Sequence, residues 1–474
     1  MDGLDTGDTA WMLASTALVL LMTPGLAFFY GGMVRSKSVL NMMMMSLSAM
    51  GLVGILWALY GYSVAFGNDV GGGLLGNPFE FAGLKGLFVG SYTGDAISYP
   101  LSGTIPALVF VGFQATFAII TVALISGAVA DRMKFGAWLL FAAIWATVVY
   151  FPVAHWVFAF SNDDSGVVGG WIANNLAAID FAGGTAVHIN AGSAALALAL
   201  VIGKRRGWPR EPMRPHNLPF VMLGAGLLWF GWFGFNAGSE FTADFVTAIA
   251  FVNTQVATAA GVLGWMIVEW VRDKKPTLVG ASSGAVAGLV AITPACGFID
   301  PWAAVLLGLV AGVLCALAVS LKYRFGYDDS LDVVGVHFVG GWIGSLWLGL
   351  FANTQVNSYI SDGVGATDGL FMGGGLTQLG RQAAASGIVT VWSLGIAVVL
   401  ALILKSAGLL RVSTEAEADG IDLAEHAEAG YDLSVTSTGG GGGAFAMAGI
   451  SSGAPAPATR PAPAEEPVAE QATR

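Results

Sequence analysis

The sequence predicts an all-α polytopic membrane protein with eleven transmembrane helices. Three observations lead to this prediction: 55% of the 474 residues are hydrophobic, only 11% are charged, and long apolar stretches recur along the chain. A soluble domain needs a wetted surface, which this composition does not supply. About 20 apolar residues cross the ~30 Å hydrocarbon layer of a bilayer. Stretches of that kind cover 9–33, 40–66, 104–130, 136–160, 182–203, 217–237, 243–271, 277–297, 302–323, 332–354 and 383–409.

The predicted spans divide the chain into four parts. Residues 1–8 form a short N-terminal segment, and residues 9–409 form the transmembrane domain. Residues 410–433 are acidic and varied in sequence, so we expect them to fold against one face of the bundle. Residues 434–474 are rich in Gly and then in Pro, Ala and Glu. We expect this low-complexity tail to be disordered, because it cannot bury an apolar core.

The positive charges predict the orientation of the chain, because cytoplasmic loops retain Lys and Arg. Sixteen of these residues follow the odd-numbered spans or flank the last one, whereas the loops after the even-numbered spans hold only Lys85 and Arg381. We therefore predict an extracellular N-terminus and a cytoplasmic C-terminus. The net charge of −11 says little about ligands, since ten acidic residues and two arginines in 412–474 account for −8 of it.

Two predicted spans carry a histidine at membrane depth, and their surroundings indicate an inverted repeat. Asp180 precedes His188 by eight residues in DFAGGTAVHINAG, and Asp332 precedes His337 by five in DVVGVHFVGG. Span five enters from outside and span ten from inside. Spans one to five and six to ten are therefore predicted to be inverted halves that share a site near the midplane, with the eleventh span added.

Three interpretations of the paired histidines are open. In the first, each is a polar core residue that hydrogen-bonds to a neighbour. In the second, they line a transport pathway, because an ionisable side chain at this depth is costly, by ~2.5–3.5 kcal/mol when charged, and usually marks such a pathway. A metal site is the third, but no Cys, Asp or Glu lies one helical turn from either ring. We favour a hydrophobic conduit with two neutral imidazoles that donate and accept hydrogen bonds, and we predict no metal and no cofactor.

The two acids have structural interpretations of their own. A carboxylate at a helix start accepts hydrogen bonds from free backbone N–H groups and meets the positive end of the helix dipole. We predict this capping role for Asp332. Asp180 lies at the predicted outer mouth above His188, so helix capping and electrostatic attraction of a cation are both open for it.

Five motifs occur in order along the chain: MTPGLAFFYGGMVRSK at 22–37, DFAGGTAVHINAG at 180–192, GWFGFNAGS at 231–239, DVVGVH at 332–337 and LRVSTEAEADGID at 410–422. With these motifs the chain resembles the ammonium transporter (Amt/Mep/Rh) family, over about residues 8–433. The resemblance implies an eleven-span protomer with two inverted five-span halves, placed in the cytoplasmic membrane. It also implies a homotrimer in which each subunit has its own narrow pore. The five motifs stand in the family's order.

The resemblance implies roles for individual pore residues. The family's twin-histidine pair matches His188 and His337. Its pore-lining tryptophan matches Trp232, and its stacked phenylalanine gate matches Phe117 and Phe235. These residues are the predicted pore.

An outer recruitment site is also implied, in which an aromatic cage and a serine receive ammonium. The cage and serine match Phe117 and Ser239, and the family's essential acid below the outer vestibule matches Asp180. The cage often contains a tryptophan after an AHxV segment, whereas AHWVF places Phe158 there. Phenylalanine has a less electron-rich face, so Trp156 or Trp171 is the alternative aromatic partner.

These features predict an ammonium transporter rather than an enzyme, since no nucleophile triad or full metal-ligand set is apparent. Moving the ion intact into an apolar pore costs much hydration energy, so we expect deprotonation and passage of ammonia, with or without separate proton transfer. By resemblance, 410–433 is a cytoplasmic regulatory segment that couples the subunits and admits a PII-type nitrogen-regulatory protein. No nucleic-acid partner is expected. The alternative function is a membrane-embedded ammonium sensor that signals through its tail.

Overall fold

The computed structural model describes residues 3–88, 90–93, 96–162 and 166–431. Within these ranges the chain forms eleven apolar helices, ten of them long enough to cross a membrane, which confirms the predicted helical membrane protein. The helices are α1 (Thr6–Met33), α2 (Ser36–Phe66), α3 (Ala107–Val129), α4 (Phe135–Phe158), α5 (Gly184–Ile202), α6 (Leu218–Glu240), α7 (Phe245–Asp273), α8 (Leu278–Ile292), α9 (Pro301–Phe325), α10 (Val334–Phe351) and α11 (Thr377–Ser406).

The eighth helix is shorter than its predicted range of 277–297. It has 15 residues and ends at Ile292, because the chain turns at Thr293 and the following Pro294 has no N–H to continue the hydrogen-bond ladder. The carbonyl of Pro294 instead accepts a 3.0 Å hydrogen bond from the backbone of Phe181. The turn after α8 therefore holds the segment that leads into α5.

The first helix begins inside the predicted N-terminal segment. Asp5 accepts a 2.9 Å hydrogen bond from the backbone N–H of Asp8 and so caps the helix start at Thr6. The last membrane helix begins at Thr377, six residues before the predicted limit of 383. The other boundaries lie within a few residues of their predicted positions.

Close backbone contact joins α1 to α6, the first helices of the two predicted halves. A Cβ on Gly224 would overlap the backbone of Phe29, and a Cβ on Gly32 would lie 2.6 Å from the carbonyl oxygen of Asn217. The two backbones approach this closely only because these positions have no side chain. Elsewhere α5 packs against α11, and α7 packs against α8 and α9.

Five π-helical turns occur in the described part of the chain. A π turn contains one more residue than an α-helical turn and is frequent at functional sites. Two of them, Gly184–Ile189 and Val334–Phe338, open α5 and α10 and contain the two predicted pore histidines. The other three are Trp57–Gly61, Ala146–Tyr150 and Ile172–Leu176.

The connections contain little regular structure. Two short antiparallel pairs follow α2: β1 (Ser91–Thr93) with β2 (Ala96–Ser98), and β3 (Leu101–Ser102) with β4 (Ile105–Pro106). Single helical turns in the connections are Ala82–Leu84, Tyr359–Asp362 and Leu370–Met372, whereas the 3₁₀ turns Ser36–Ser38, Ser126–Val129 and Gly238–Glu240 form one end of α2, α3 and α6.

After α11 the chain forms two short helices, α12 (Thr414–Asp419) and α13 (Ile421–His426). Arg411 pairs with Met133 in an isolated antiparallel bridge, so this segment lies on the loops at the end of α3 and the start of α4. We call this the C-terminal face of the bundle, and the face that carries Thr6 the N-terminal face. The predicted disordered tail 434–474 lies outside the described residues.

Two carboxylates of α13 cap membrane helices on the C-terminal face. Asp422 accepts hydrogen bonds from the backbone N–H groups of Leu40 at 3.0 Å and Asn41 at 2.7 Å, in the first turns of α2. Glu425 accepts a 2.9 Å bond from Phe135, the first residue of α4. Both acids thus accept hydrogen bonds from backbone N–H groups at the starts of α2 and α4, where such groups lack a carbonyl partner in the preceding turn.

Candidate functional site

A cavity of about 590 Å³, which we call the vestibule, lies at the N-terminal face. The four residues predicted for cation recruitment, Phe117, Phe158, Asp180 and Ser239, all line it. Eight of the other seventeen lining residues are also aromatic, which gives a cation many π faces. The other aromatic lining residues are Tyr62, Phe66, Phe110, Phe160, Phe181, Phe241, Phe298 and Tyr359.

Asp180 caps the start of α5. One carboxylate oxygen accepts from the backbone N–H groups of Gly183 and Gly184, both at 2.8 Å. The other accepts from Thr185 at 2.7 Å and from Ala186 at 3.2 Å. Four free N–H groups of the first turn are thus satisfied by one side chain, so the capping interpretation of Asp180 agrees with the geometry. Its hydrogen-bonding capacity is largely used by the protein itself.

The predicted gate residues lie at the bottom of the vestibule. The rings of Phe117 and Phe235 are 4.2 Å apart at their centroids and inclined by 33°, and both side chains are buried. Phe117 lines the vestibule, whereas Phe235 lines a second, narrower cavity. The ring pair therefore separates the two cavities.

The second cavity, which we call the channel, contains the two predicted pore histidines. It has a volume of only about 10 Å³, close to the space that one water molecule occupies. Apart from His188, His337 and the indole of Trp232, its walls are apolar. The apolar lining residues are Met22, Leu26, Phe29, Ile120, Leu124, Val187, Leu228, Phe235 and Val286.

His188 and His337 contact each other across the predicted repeat. Their Nδ1 atoms are 3.2 Å apart, and both rings are buried. One Nδ1 must donate and the other accept, so the contact fixes complementary tautomers of two neutral rings. His188 Nε2 has no hydrogen-bond partner among the described residues and remains available to a small molecule in the channel.

Trp232 holds the ring of His188 from one side. The two rings are 5.5 Å apart and inclined by 18°. The indole Nε1 donates a 2.8 Å hydrogen bond to the hydroxyl of Thr293, in the turn that ends α8. This bond fixes the indole plane, and through it the position of His188.

The structure corrects the predicted capping role of Asp332. Its Oδ1 accepts a 2.7 Å bond from Lys322 Nζ in an ion pair. Asp329 caps α10 instead, because its Oδ2 accepts from the backbone of Val334 at 2.7 Å. Asp329 lies eight residues before His337, the same spacing that separates Asp180 from His188.

Neither tryptophan considered as a substitute for Phe158 lines the vestibule. Trp156 lies in a separate apolar groove, and its Nε1 donates a 2.8 Å bond to the carbonyl of Leu74. Trp171 packs beside Trp156 with a centroid distance of 6.1 Å. Phe158 therefore provides the aromatic face of the vestibule at this position.

A buried cluster of ion pairs lies at the C-terminal face near the start of α10. Arg205 donates two 2.9 Å hydrogen bonds to the carboxylate of Asp328 and lies 3.3 Å from Asp131. Burial alone raises the pKa of Asp328, but the hydrogen bonds and charge of Arg205 hold it below the usual value of 3.8. Burial and the charge of Asp332 raise the pKa of Asp329 to about 6.

The sequence analysis did not identify four polar residues that lie around the vestibule and the channel. Asp329 shares the eight-residue spacing of its counterpart, a signal that was present in the sequence. Gln114 and Glu240 line the vestibule; the first lies one helical turn before Phe117, and the second follows the predicted serine. Thr293 had no local signal, because its role depends on the fold bringing it to the indole.

The described residues contain no group of three or more His, Cys, Asp or Glu side chains that could hold a metal ion. His188 and His337 alone would supply two ligands, whereas protein zinc sites use three or four.

Comparison with known proteins gives one consistent family. Residues 10–431 match the model of the Ammonium Transporter Family. The chain is 64% identical over 440 residues to an ammonium transporter of Mycobacterium tuberculosis H37Rv, covering 91% of this chain and 92% of that protein. It resembles the crystal structure of Candida albicans Mep2 with a TM-score of 0.78 at 33% identity, covering 91% and 94% of the two chains. A solved structure named Sensor Amt Protein gives a TM-score of 0.77 at 28% identity, covering 89% and 98%.

Proposed function

This chain belongs to the ammonium transporter family, and from that premise we propose that it carries ammonium across the cytoplasmic membrane. The observation that supports this function most directly is the buried contact between His188 and His337 in a narrow apolar channel below an aromatic vestibule. The excess of Lys and Arg on the C-terminal face supports an orientation with the vestibule outside and the C-terminal segment in the cytoplasm.

In this proposal ammonium first enters the vestibule. The hydroxyl of Ser239 donates to the carbonyl of Phe235 at 2.8 Å, so its remaining lone pairs can accept an N–H from the ion. Phe117 and Phe158 offer π faces, which attract cations most strongly where water is excluded. The carboxylate of Asp180 contributes negative potential while its oxygens remain bound to the backbone.

Deprotonation then occurs at the gate formed by Phe117 and Phe235. The channel beyond these rings has room for about one small molecule and few polar groups, so an intact ion would lose most of its hydration without compensation. Desolvation favours the neutral form of an amine, as it does for a buried lysine. The proton is therefore left at the vestibule or passed on by a separate route.

Ammonia next passes the two histidines. It is a donor and an acceptor of hydrogen bonds, and each neutral imidazole also has one donor and one acceptor nitrogen. The shared Nδ1 contact leaves the Nε2 side of His188 free to bind the molecule. The pair thus replaces the hydrogen bonds that ammonia loses with water.

We further propose that the protein is a homotrimer and that residues 410–433 form a cytoplasmic regulatory segment. Asp422 and Glu425 cap α2 and α4, and Arg411 donates hydrogen bonds to the carbonyls of Ile202 at 3.1 Å and Lys204 at 2.7 Å. Displacement of this segment would expose the starts of two membrane helices at once. A PII-type protein at this face is the proposed regulator.

Purified protein in proteoliposomes tests the function. After an ammonium concentration jump, we expect an electrical current that is absent from protein-free vesicles, or a change in internal pH that is faster than the passive ammonia leak of protein-free vesicles. A current indicates net charge transfer, whereas a pH change without current indicates neutral ammonia conduction. If neither occurs while the protein binds methylammonium, transport is contradicted and the sensor function is favoured, in line with the likeness to the Sensor Amt Protein.

A further inference from the structure

The vestibule contains a carboxylate that the proposed transport steps do not use. Glu240 ends α6 directly after Ser239, and both residues line the cavity. We propose that Glu240, together with the side-chain oxygen of Gln114, forms an additional binding position for a weakly hydrated monovalent cation and thereby raises the affinity for ammonium. This inference rests on the proposed function.

The two carboxylates that line the vestibule differ in how they are satisfied. Asp180 accepts four backbone hydrogen bonds, whereas Glu240 accepts no hydrogen bond and forms no ion pair within the described part of the chain. The nearby Asp244 is also engaged, since it caps α7 through Val246 and Thr247. Glu240 is thus the acid in this region whose oxygens are free to face a cation.

Gln114 gives a second, independent indication. Its side chain is 5% exposed and lines the vestibule, and its Oε1 has no hydrogen-bond partner among the described residues. A buried amide oxygen without a partner is costly, so a donor from a bound ligand stabilises it. An ammonium ion has four N–H donors, so a hydrogen bond to the amide oxygen leaves three donors for other acceptors in the vestibule.

The charges around the cavity favour a cation. The ionisable lining residues within the described ranges are Asp180, Glu240, Tyr62 and Tyr359, and none of the lining residues is Lys, Arg or His. A half-buried carboxylate loses part of its hydration, which a nearby cation offsets. Few oxygen ligands and an aromatic wall do not fit Mg²⁺ or Ca²⁺, which take six or more oxygens. A weakly hydrated monovalent ion fits both features.

Glu240→Gln tests the assignment because it removes the charge and keeps the shape. We expect the half-saturating ammonium concentration for flux to rise roughly three- to tenfold, with a maximal flux within about twofold of that of the unmodified protein. Added salt should weaken apparent affinity in the unmodified protein and have a smaller effect in the variant, in which Asp180 is the remaining carboxylate of the lining. Asp362→Asn is the matched control: it removes one charge at an exposed position of the Tyr359–Asp362 turn that is outside the vestibule lining, so its half-saturating concentration should not change.

Equilibrium binding of radiolabelled methylammonium to the purified protein separates this inference from the proposed function. Weaker binding to the Glu240→Gln protein supports the cation position even if the unmodified protein carries no flux, a result that would contradict transport alone. Unchanged binding and unchanged half-saturation in a variant with a normal unfolding midpoint would overturn the cation position. Gln114→Leu, which removes the amide oxygen, is expected to weaken binding in the same direction and to a smaller extent.

Discussion

The starts of α5 and α10 are alike in construction and different in electrostatics. In each, an acid eight residues before the histidine caps the helix, and a π turn presents the ring to the channel. At α5 the acid Asp180 faces the vestibule and binds only backbone groups. At α10 the acid Asp329 is buried beside an ion pair of Lys322 with Asp332.

The two halves of the repeat therefore share the geometry of the helix start and differ in the charged side chains around it. The N-terminal face offers carboxylates to a cavity whose lining includes no basic side chain. At the C-terminal face the corresponding acid, Asp329, lies beside the ion pair of Lys322 with Asp332 and directly follows Asp328, which pairs with Arg205. A cation is therefore favoured at one mouth of the channel and not at the other, although the two histidines meet in a nearly symmetric contact.

The largest expected effect comes from breaking the ion cluster that only the α10 side has. Asp328→Asn should destabilise the protein by about 3 kcal/mol, because the amide has no charge and only one acceptor oxygen. Arg205 then loses one of its two side-chain hydrogen bonds to residue 328 and keeps Asp131 as its charged partner. The pKa of Asp328 is lowered in the folded protein, so its stabilising contribution is fully present above its unfolded value of 3.8 and is lost as pH falls through the folded pKa.

The measurement is the unfolding midpoint in detergent, followed from neutral pH downward. The unmodified protein should lose stability on acidification more steeply than the Asp328→Asn protein. Parallel curves for the two proteins would show that this carboxylate does not contribute through its charge.

The second prediction compares the two histidines directly. His188→Ala removes a hydrogen-bonding group from the channel. An ammonia molecule without that partner is less stable there by ~1–3 kcal/mol, so the flux should fall roughly 5- to 150-fold, or the ion selectivity should change. His337→Ala should act similarly but less strongly, because His188 alone stacks on both Trp232 and Phe235. Ammonium-driven current in proteoliposomes is the readout. Unchanged flux and selectivity in the His188 variant would overturn the pore assignment.

The third prediction compares the two capping acids. Asp180→Ala leaves four N–H groups without a partner and should lower the free energy of unfolding by about 2 kcal/mol or more. Asp329→Ala removes the bond from Val334 and should cost about 1 kcal/mol. Thermal unfolding of both variants measures the contrast. Equal losses would mean that the two helix starts are energetically equivalent despite their different hydrogen bonding.

The smallest effect is expected at the ion pair of Lys322 and Asp332. Asp332→Asn should lower the free energy of unfolding by about 0.5 kcal/mol. The carboxylate is partly exposed, the asparagine oxygen can still accept from the buried Lys322, and Lys322 keeps its hydrogen bond to the carbonyl of Asp329. Flux corrected for the amount of folded protein should not change. A loss of flux without a loss of stability would instead place Asp332 in the transport route.

The sequence was sufficient for the helices and for the histidine pair, because an ionisable residue is conspicuous inside an apolar segment. It was not sufficient for the cap of α10, which was predicted to be Asp332 because this acid lies nearer to His337. The cap is Asp329, which has the same eight-residue spacing as Asp180 and His188. Glu240 at a helix end next to a loop has the pattern of a solvated residue, and only the fold places it in a cavity. The stacking of Phe117 on Phe235 likewise joins α3 to α6, a contact that local pattern does not contain.

The π turns that begin α5 and α10 make the direction of each histidine side chain depend on the number of residues in the turn. A π turn is an α-helical turn with one residue inserted. Deleting Ala186, which lies in the turn Gly184–Ile189 and does not line the channel, would therefore restore α-helical geometry and rotate the ring of His188 by about 100° around the helix axis. The same holds for Val334–Phe338 and His337. A one-codon deletion would therefore separate the two rings while every side chain of the channel keeps its chemical identity. We expect these two segments to tolerate substitution of a residue better than deletion of one.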